Sequence, residues 1–404
     1  MRWLWAALLA SGCLKSASQT CVFGDQEWVC PVGLACAEPN VFCGRENEVA
    51  ACAGHDAFAG CTFTPDSAGV AIGSCVKGVC NACQPATEAD LEGCTYAGWK
   101  AMTSPVATQL RGVWVVGRAD AYAVGDQAIL HYDGNRWAAP AGLPVLGLGA
   151  ILSAVWARAT DDVFVTASGV GGLAGDVLHF DGAAWTVDPS SSLALNAITG
   201  SPTGEIFVAG ARGTMGVIRK LAGGSWTESD VGGPALSGVW ASAHRAVAVG
   251  GQASGVIWRS DSGAAWMAEV LPPATPGLTA VWGSSDQDIV AVGRAGGGTQ
   301  PTILHFDGSS WSKLAACDGS AGACIDSHIM QATTLFAVHG TAAGDAYAVG
   351  QQGTILHYDG TQWSLVPPSM TPAQADLTAV SASAPAVDVF AVTTSGGIWR
   401  NSGD

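Results

Sequence analysis

Residues 335–363 read LFAVHGTAAGDAYAVGQQGTILHYDGTQW. Four short runs make up this stretch: LFAVH, DAYAVG, TILHY and a run opening on Trp363, with glycine between them. Alternating apolar residues in runs of four to six, punctuated by glycine, are the pattern of short strands joined by tight turns. Working outward, the same unit recurs along the chain. Its opening run returns as LRGVW at 110–114, LSAVW at 152–156, LNAI at 195–198, LSGVW at 236–240, LTAVW at 278–282 and LTAV at 377–380. Successive opening leucines are 42, 43, 41, 42, 57 and 42 residues apart, and the long interval carries Cys317 and Cys324. The second run has a copy at 120–125 and a near copy at 288–293, and the third returns at 129–132 and 303–306. A period of about 40–50 residues with four strands per unit predicts a β-propeller.

The chain ends fix the number of blades. The unit opening at Leu377 has a second run at 387–392 and a third at 397–400, and then the sequence stops without its outer strand. Ahead of the first unit, YAGW at 96–99 supplies an unattached Gly-x-Trp strand. That strand is expected to complete the last blade, closing a seven-bladed ring over 95–404 without a free edge. A parallel β-solenoid is the alternative, but it has no need of complementary partial repeats at its two ends.

The chain has 404 residues, of which 49% are hydrophobic and 12% charged, with 54 Gly and 16 Trp, a composition suited to strands and turns. Its net charge is −16; the part before Cys94 holds 4 basic and 10 acidic residues and the rest 13 and 23. Neither part offers the basic stripe that a phosphate backbone requires, so a nucleic-acid partner is not expected.

The N-terminus, MRWLWAALLASGC, reads as an export signal over 1–18, with Arg2 as its charged start and an apolar run too short to span a bilayer. Small residues leading into Cys13 resemble the bacterial lipoprotein cleavage box, with Cys13 as the lipidation site; ordinary cleavage after 16–18 is the rival mode. Twelve cysteines then remain: Cys21, Cys30, Cys36, Cys43, Cys52, Cys61, Cys75, Cys80, Cys83 and Cys94 in a module over 19–94, and Cys317 and Cys324 in the propeller. An even, clustered set in an exported chain reads as a disulfide framework. The Cys80–Cys83 spacing also fits a redox pair or half a zinc site; among so many cysteines a structural bridge is the simpler reading.

The turns Asp133–Trp137, Asp181–Trp185, Asp307–Trp311 and Asp359–Trp363, and the longer Asp261–Trp266, resemble the Asp-box of sialidase-type and photosystem II assembly-factor-type propellers. The likeness covers about 95–404 and implies fold more than function. The cysteine-rich segment ahead of a propeller also resembles bacterial exported lipoproteins.

The repeated aspartates invite an acid–base reading. One per blade at a tight turn, each is expected instead to accept backbone N–H bonds from its own turn. The tryptophans at 99, 137, 185, 226, 266, 311 and 363 read as packing residues. His131, His179, His305 and His357 share one repeat position, with Arg219, Arg259 and Arg400 assigned to it in other units. Equivalent positions on different blades are too far apart for one metal, so an inter-blade polar contact is expected, with no metal and no cofactor. The sialidase resemblance would imply three substrate-binding arginines and a Tyr–Glu pair; the propeller has only Glu205, Glu228 and Glu269, none with an evident tyrosine, and no Arg-Ile-Pro motif.

These readings converge on a non-enzymatic binding or scaffold protein of the cell envelope, expected to be monomeric, tethered to the outer membrane or cell surface through its N-terminal lipid alone, or else secreted or periplasmic. A glycan or an envelope or extracellular protein is the expected partner. A carbohydrate-active enzyme and an envelope assembly factor are the alternatives. The connections between second and third strands, and between one blade and the next, vary most in length and share one face, where loops carry function. Gln127, Arg212, Gln252, Arg294 and Gln351 follow second strands on that face and are the candidate ligand-binding residues.

Overall fold

The computed structural model describes residues 99–401 except 118–119, 145–148, 169–174, 190–192, 298–299, 319–321, 327–328, 330–332, 367–374 and 384–387, together with the backbone of eight strands between 19 and 96. Two compact units divide the chain, residues 1–86 and 87–404. In the first, Gln19–Phe23 pairs with Gln26–Cys30, Leu34–Ala37 with Phe42–Arg45, and Gly60–Phe63, Ala71–Val76 and Val79–Asn81 form a third antiparallel sheet. Cys13, and the side chains of the ten cysteines from Cys21 to Cys94, lie outside the described residues.

The second unit is a seven-bladed, all-β propeller. Blade one comprises Leu110–Gly117, Asp120–Gly125, Ala128–Tyr132 and Trp137–Ala138, hydrogen-bonded in chain order from the inside outward. Blades two to five repeat that order from Ile151–Ala159, Ala194–Gly200, Leu236–Ala241 and Leu278–Ser285. Blade six, from Leu335–Ala342 to Gln362–Leu365, gains a fifth strand: Cys324–Ile325 lies parallel to its outer edge. That strand belongs to the insertion closed by the Cys317–Cys324 disulfide, and its Ile325 is fully buried against the blade.

Blade seven joins the two ends of the unit. Leu377–Ser383, Asp388–Thr393 and Ile398–Asn401 are followed in space by Trp99–Met102, with Ile398 opposite Met102 and Asn401 opposite Trp99. The ladder hydrogen bonds of Ile398–Asn401 are therefore met by a strand about 300 residues earlier, and no open sheet edge is left there.

The second strands do not alternate as the sequence pattern suggested. In Asp120–Gly125 and Asp345–Gly350 every residue after the aspartate is buried. A blade is packed on both faces by its neighbours, so its middle strands bury both sides and read as continuous apolar runs. Each interface is a separate core; that between blades seven and one contains Leu110, Val113, Leu130, Tyr132, Trp137, Phe390, Val392 and Ile398. Fully burying a side chain of this size is worth about 1.5–3 kcal/mol, so the ring is stabilised junction by junction.

Candidate functional site

The innermost strands build the axis of the propeller, and their register shows how. In all seven, the residue after the opening leucine is skipped in the pairing with the second strand: the shifts fall between Leu110 and Gly112, Leu152 and Ala154, Leu195 and Ala197, Leu236 and Gly238, Leu278 and Ala280, Leu335 and Ala337, and Leu377 and Ala379. A β-bulge of this kind re-aims the skipped side chain. Here the skipped residues are Arg111, Ser153, Asn196, Ser237, Thr279, Phe336 and Thr378, and all seven line a central channel with a cavity of about 520 Å³.

Three of them stitch the ring. Asn196 Nδ2 donates to the Leu236 carbonyl at 2.7 Å, Thr279 Oγ1 to that of Leu335 at 2.6 Å and Thr378 Oγ1 to that of Leu110 at 2.7 Å. Each reaches the opening leucine of the following blade. The next position is always Gly or Ala because the strands converge: a Cβ on Gly238 would lie 2.9 Å from Ala280 Cα.

Deeper in the channel, the fifth residue of each inner strand forms a belt: Trp114, Trp156, Thr199, Trp240, Trp282, His339 and Ser381. Each large ring lies on the small sixth residue of the next blade. A Cβ on Gly200 would stand 2.2 Å from the Trp156 indole, and one on Gly340 2.6 Å from that of Trp282. Trp114 Nε1 donates to the Ala157 carbonyl at 2.9 Å, the Ala382 N–H donates to His339 Nδ1 at 3.2 Å, and the Val115 N–H donates to Ser381 Oγ at 3.0 Å. His339 also meets the Trp114 ring edge to face at 5.2 Å. Burial pushes its imidazole pKa down to about 4, so it is neutral at pH 7 and serves as an acceptor.

Arg111 and Phe336 are the departures from this pattern. Arg111 does not stitch to the next blade; its Nε donates to Asp126 Oδ1 at 2.8 Å, and this bond orients the guanidinium at the channel mouth with both terminal nitrogens uncommitted among the described residues. Phe336 places an aromatic side chain where five other blades carry a small polar one.

The repeated histidines are explained within their blades. His131, His179, His305 and His357 each place Nε2 2.7–2.8 Å from the aspartate that opens the second strand: Asp120, Asp162, Asp288 and Asp345. Arg400 pairs with Asp388 in the same way at 2.9 Å. The expected inter-blade contact is thus corrected: the side chain binds its own sheet because both partners are cross-strand neighbours. The bridge to the next blade is made instead by the aspartate, as Asp120 takes a hydrogen bond from Thr160. In blade three the register also moves the position by one. Phe207, the equivalent of Tyr122, faces Lys220 and not Arg219, and Lys220 pairs with Glu205 at 2.6 Å. Among the described residues, no three His, Cys, Asp or Glu side chains cluster as a metal site would require.

The turn aspartates are held by their turns, with one exception. Asp133 Oδ1 accepts the N–H groups of Asn135 and Arg136, both at 2.9 Å; Asp181, Asp307 and Asp359 repeat this arrangement. These bonds favour the ionised carboxylate and lower its pKa, for Asp307 to about 2, where the Ser309 hydroxyl adds a third bond. Asp261 departs from the expectation. Its carboxylate is gripped by Arg245 Nε and Arg259 Nη1, each at 2.7 Å, since arginine stands at two positions that other blades fill with Asp and His.

The five residues singled out from the sequence do sit at the ends of second strands. Gln127 occupies a left-handed turn at φ 57°, with its N–H on the Ala150 carbonyl. Gln252 and Arg294 are exposed, the latter with its N–H on the Gly277 carbonyl. Arg212 spends its guanidinium on Glu228 at 2.7 Å and Asp230 at 2.6 Å. Gln351 Oε1 accepts the Thr334 N–H at 3.0 Å. Among the described residues no hydrogen bond or ion pair joins any two of the five, and none of them lines the channel cavity. The channel groups Arg111, Phe336 and the tryptophan belt were missed; their signal was the odd residue in the otherwise small polar second position of the LxxVW run.

The architecture places the chain among the seven-bladed β-propellers, and comparison with solved structures agrees. It is similar to YCF48 bound to a D1 peptide (15% identity over 78% of this chain and 98% of that one, TM-score 0.58) and to YCF48 from Cyanidioschyzon merolae (14%, 76% and 99%, 0.57). It is also similar to a virginiamycin B lyase from Staphylococcus aureus (12%, 75% and 98%, 0.59). Likeness at such identity is a likeness of fold. No family model matches the sequence, and no curated protein matches it.

Proposed function

We propose that the protein is a non-enzymatic, exported binding protein of the cell envelope that holds a segment of a partner protein at the channel mouth, on the face of the strand 2–3 connections. The observation that carries this reading is the contrast between committed and uncommitted groups. The repeated His and Asp side chains are tied into their own blades, whereas Arg111 keeps both terminal guanidinium nitrogens uncommitted among the described residues, at the mouth of a cavity of about 520 Å³ that Phe336 also lines. A fork of donors in a cavity that also carries an aromatic side chain suits a carboxylate-bearing peptide. The comparison with YCF48 bound to a D1 peptide supports a protein partner over a glycan, since a propeller of this fold is seen there with a peptide. In this reading Cys13 carries the lipid that anchors the chain, and the Asp-box turns serve structure.

The test is affinity capture from native envelope with the full mature chain and its Arg111→Ala variant, alongside a glycan array. A partner retained by the native protein, lost at least tenfold with Arg111→Ala and kept with Arg212→Ala, is the expected result. Equal retention by both variants would reject the assigned mouth, and array binding lost with Arg111→Ala would exchange the protein partner for a glycan. Mass spectrometry of the mature N-terminus tests the anchor: a chain beginning near Gln19 would reject it.

A further inference from the structure

A second cavity, of about 330 Å³, opens on the opposite face between blades three and four. Its origin is a missing side chain. The residue that pairs with the one after the opening aspartate or glutamate of the second strand is Tyr132, Phe180, Phe306 and Tyr358 in blades one, two, five and six, Leu221 in blade three and Asn401 in blade seven. At the junction of blades seven and one, Tyr132 packs on Phe390 of the preceding blade with ring centroids 5.5 Å apart. In blade four the same register position is Ser260, opposite Ala246, and the preceding blade offers Phe207. Phe207, Ser260 and Ala246 all line the cleft, so the cavity lies where an aromatic side chain stands in blades one, two, five and six.

The walls of that volume are polar, fixed and electrically balanced. Lys220 pairs with Glu205 at 2.6 Å, and both remain partly exposed to the cleft, at 26% and 33%. Arg245 is held by Asp261 at 2.7 Å, with a further bond to the Asp286 carbonyl. Ser262 adds a hydroxyl in a turn at φ 50° with its N–H on the His244 carbonyl, whereas the Ser242 hydroxyl is committed to Asp286 and to the His244 and Arg245 N–H groups. Each cation on the wall has a matching carboxylate, which argues against a simple anion as ligand. The Lys220 amine stands 5.5 Å over the Phe207 ring, so that face is not free for a stacked aromatic or nucleobase. What remains is a pocket at the small end of the ligand range, offering paired donors and acceptors beside an apolar floor.

We propose that this cleft binds a single uncharged saccharide ring, whose vicinal hydroxyls exchange hydrogen bonds with the Lys220–Glu205 pair and Ser262 while its C–H groups rest on Ala246. The ring takes the place of the absent aromatic plug. This site is independent of the channel mouth and stands on its own observations.

Saturation-transfer NMR on the full chain, with the methyl glycosides of glucose, galactose, mannose and N-acetylglucosamine and with sodium glucuronate as the acidic probe, tests it. Transfer to at least one neutral glycoside is expected. Ser260→Tyr, which restores the plug found at Tyr132 and Tyr358, and Glu205→Gln should each weaken that binding at least tenfold, while Arg111→Ala leaves it unchanged. Thermal melting of each variant accompanies the titrations, and Glu205→Gln carries the test if Ser260→Tyr does not fold. Transfer to no neutral glycoside, transfer to glucuronate alone, or undiminished binding in a folded Glu205→Gln protein would each overturn the assignment.

Discussion

The junction between blades seven and one and that between blades three and four are built on the same strand register but end differently. At the first, Tyr132, Trp137 and Phe390 close on one another at 5.4–5.5 Å, and Arg400 lies over both Tyr132 and Phe390. At the second, Trp266 meets Phe207 at 6.3 Å, no aromatic occupies the Ser260 position, and the Asp–His pair of other blades has become Glu205–Lys220 on one side and Arg245–Asp261 on the other. Packing and charge change together at that junction alone of the two. The serine in place of the aromatic and the exchanged charge pair leave open space at that junction, walled by Lys220, Glu205 and Arg245.

The largest expected effect belongs to the closed junction, since blade seven is assembled from the two ends of the propeller unit. Deleting residues 95–102 strips the outer strand from Ile398–Asn401 and leaves an edge of unpaired N–H and C=O groups. Loss of the monodisperse species in size-exclusion chromatography, with a lowered melting temperature, is the outcome that fits. A truncated protein with an unchanged elution volume and melt would show that the ring does not depend on that strand.

Next in size is a direct contrast between the two phenylalanines. Phe390 is fully buried among rings and aliphatic side chains, and Phe390→Ala should cost about 3–5 kcal/mol, as large-to-small changes in tight cores do. Phe207→Ala, beside a cleft that already exists, removes fewer contacts and should cost less than that range. Urea denaturation of the two variants measures the difference, and equal costs would mean that the cleft is closed in solution.

Most of this architecture was legible in the sequence because it obeys a repeat. The LxxVW, DAYAVG and ILHY runs and the DGxxW turns each answer a demand that most blades share: small residues where strands converge, a glycine where the second strand passes the opening leucine, a carboxylate at the turn. A Cβ on Gly125 would stand 2.0 Å from the Gln109 carbonyl, which is why that run ends on glycine. The sites were less legible. Arg111 and Phe336 matter because a bulge turns the second residue of the strand toward the axis, and a bulge has no signature of its own in LRGVW. The cleft depends on which residue faces Ser260 across a blade boundary, a relation that appears only once register is known. Lys220 was hidden by a one-residue offset, since the turn from Leu221 to Trp226 has the same length as most of the others but carries Ala222 where they carry the aspartate.

A smaller effect should come from His339, in the belt near blade seven. Its folded pKa of about 4 lies below the ordinary 6.5 because burial disfavours the charged ring. The unfolded chain therefore takes up the proton first, and the native state loses stability as pH falls from about 6.5 toward 4. His339→Ser gives up ring packing at pH 7 but also removes this penalty. The stability gap between native protein and variant, read by denaturation at pH 7 and pH 4.5, should narrow at the lower pH; a constant gap would mean that the ring is protonated in the fold.

The smallest effect separates the turns that hold their aspartate from the one that does not. Asp307 accepts two backbone N–H bonds and the Ser309 hydroxyl, and its pKa falls from 3.8 to about 2. A depressed carboxylate pKa contributes stability above the unfolded value and loses it as pH drops through the folded one. Asp307→Ala should thus lower the melting temperature by a few degrees at pH 7, with the deficit shrinking between pH 3.8 and 2 as the native carboxylate takes up its proton. Asp261, bound to Arg245 and Arg259 instead of its turn, supports the cleft wall. Asp261→Asn should reduce saccharide binding through the loosened Arg245, and Asp307→Asn should not. If both variants bind alike, the two arginines orient nothing that the ligand touches, and the contrast between the junctions reduces to volume alone.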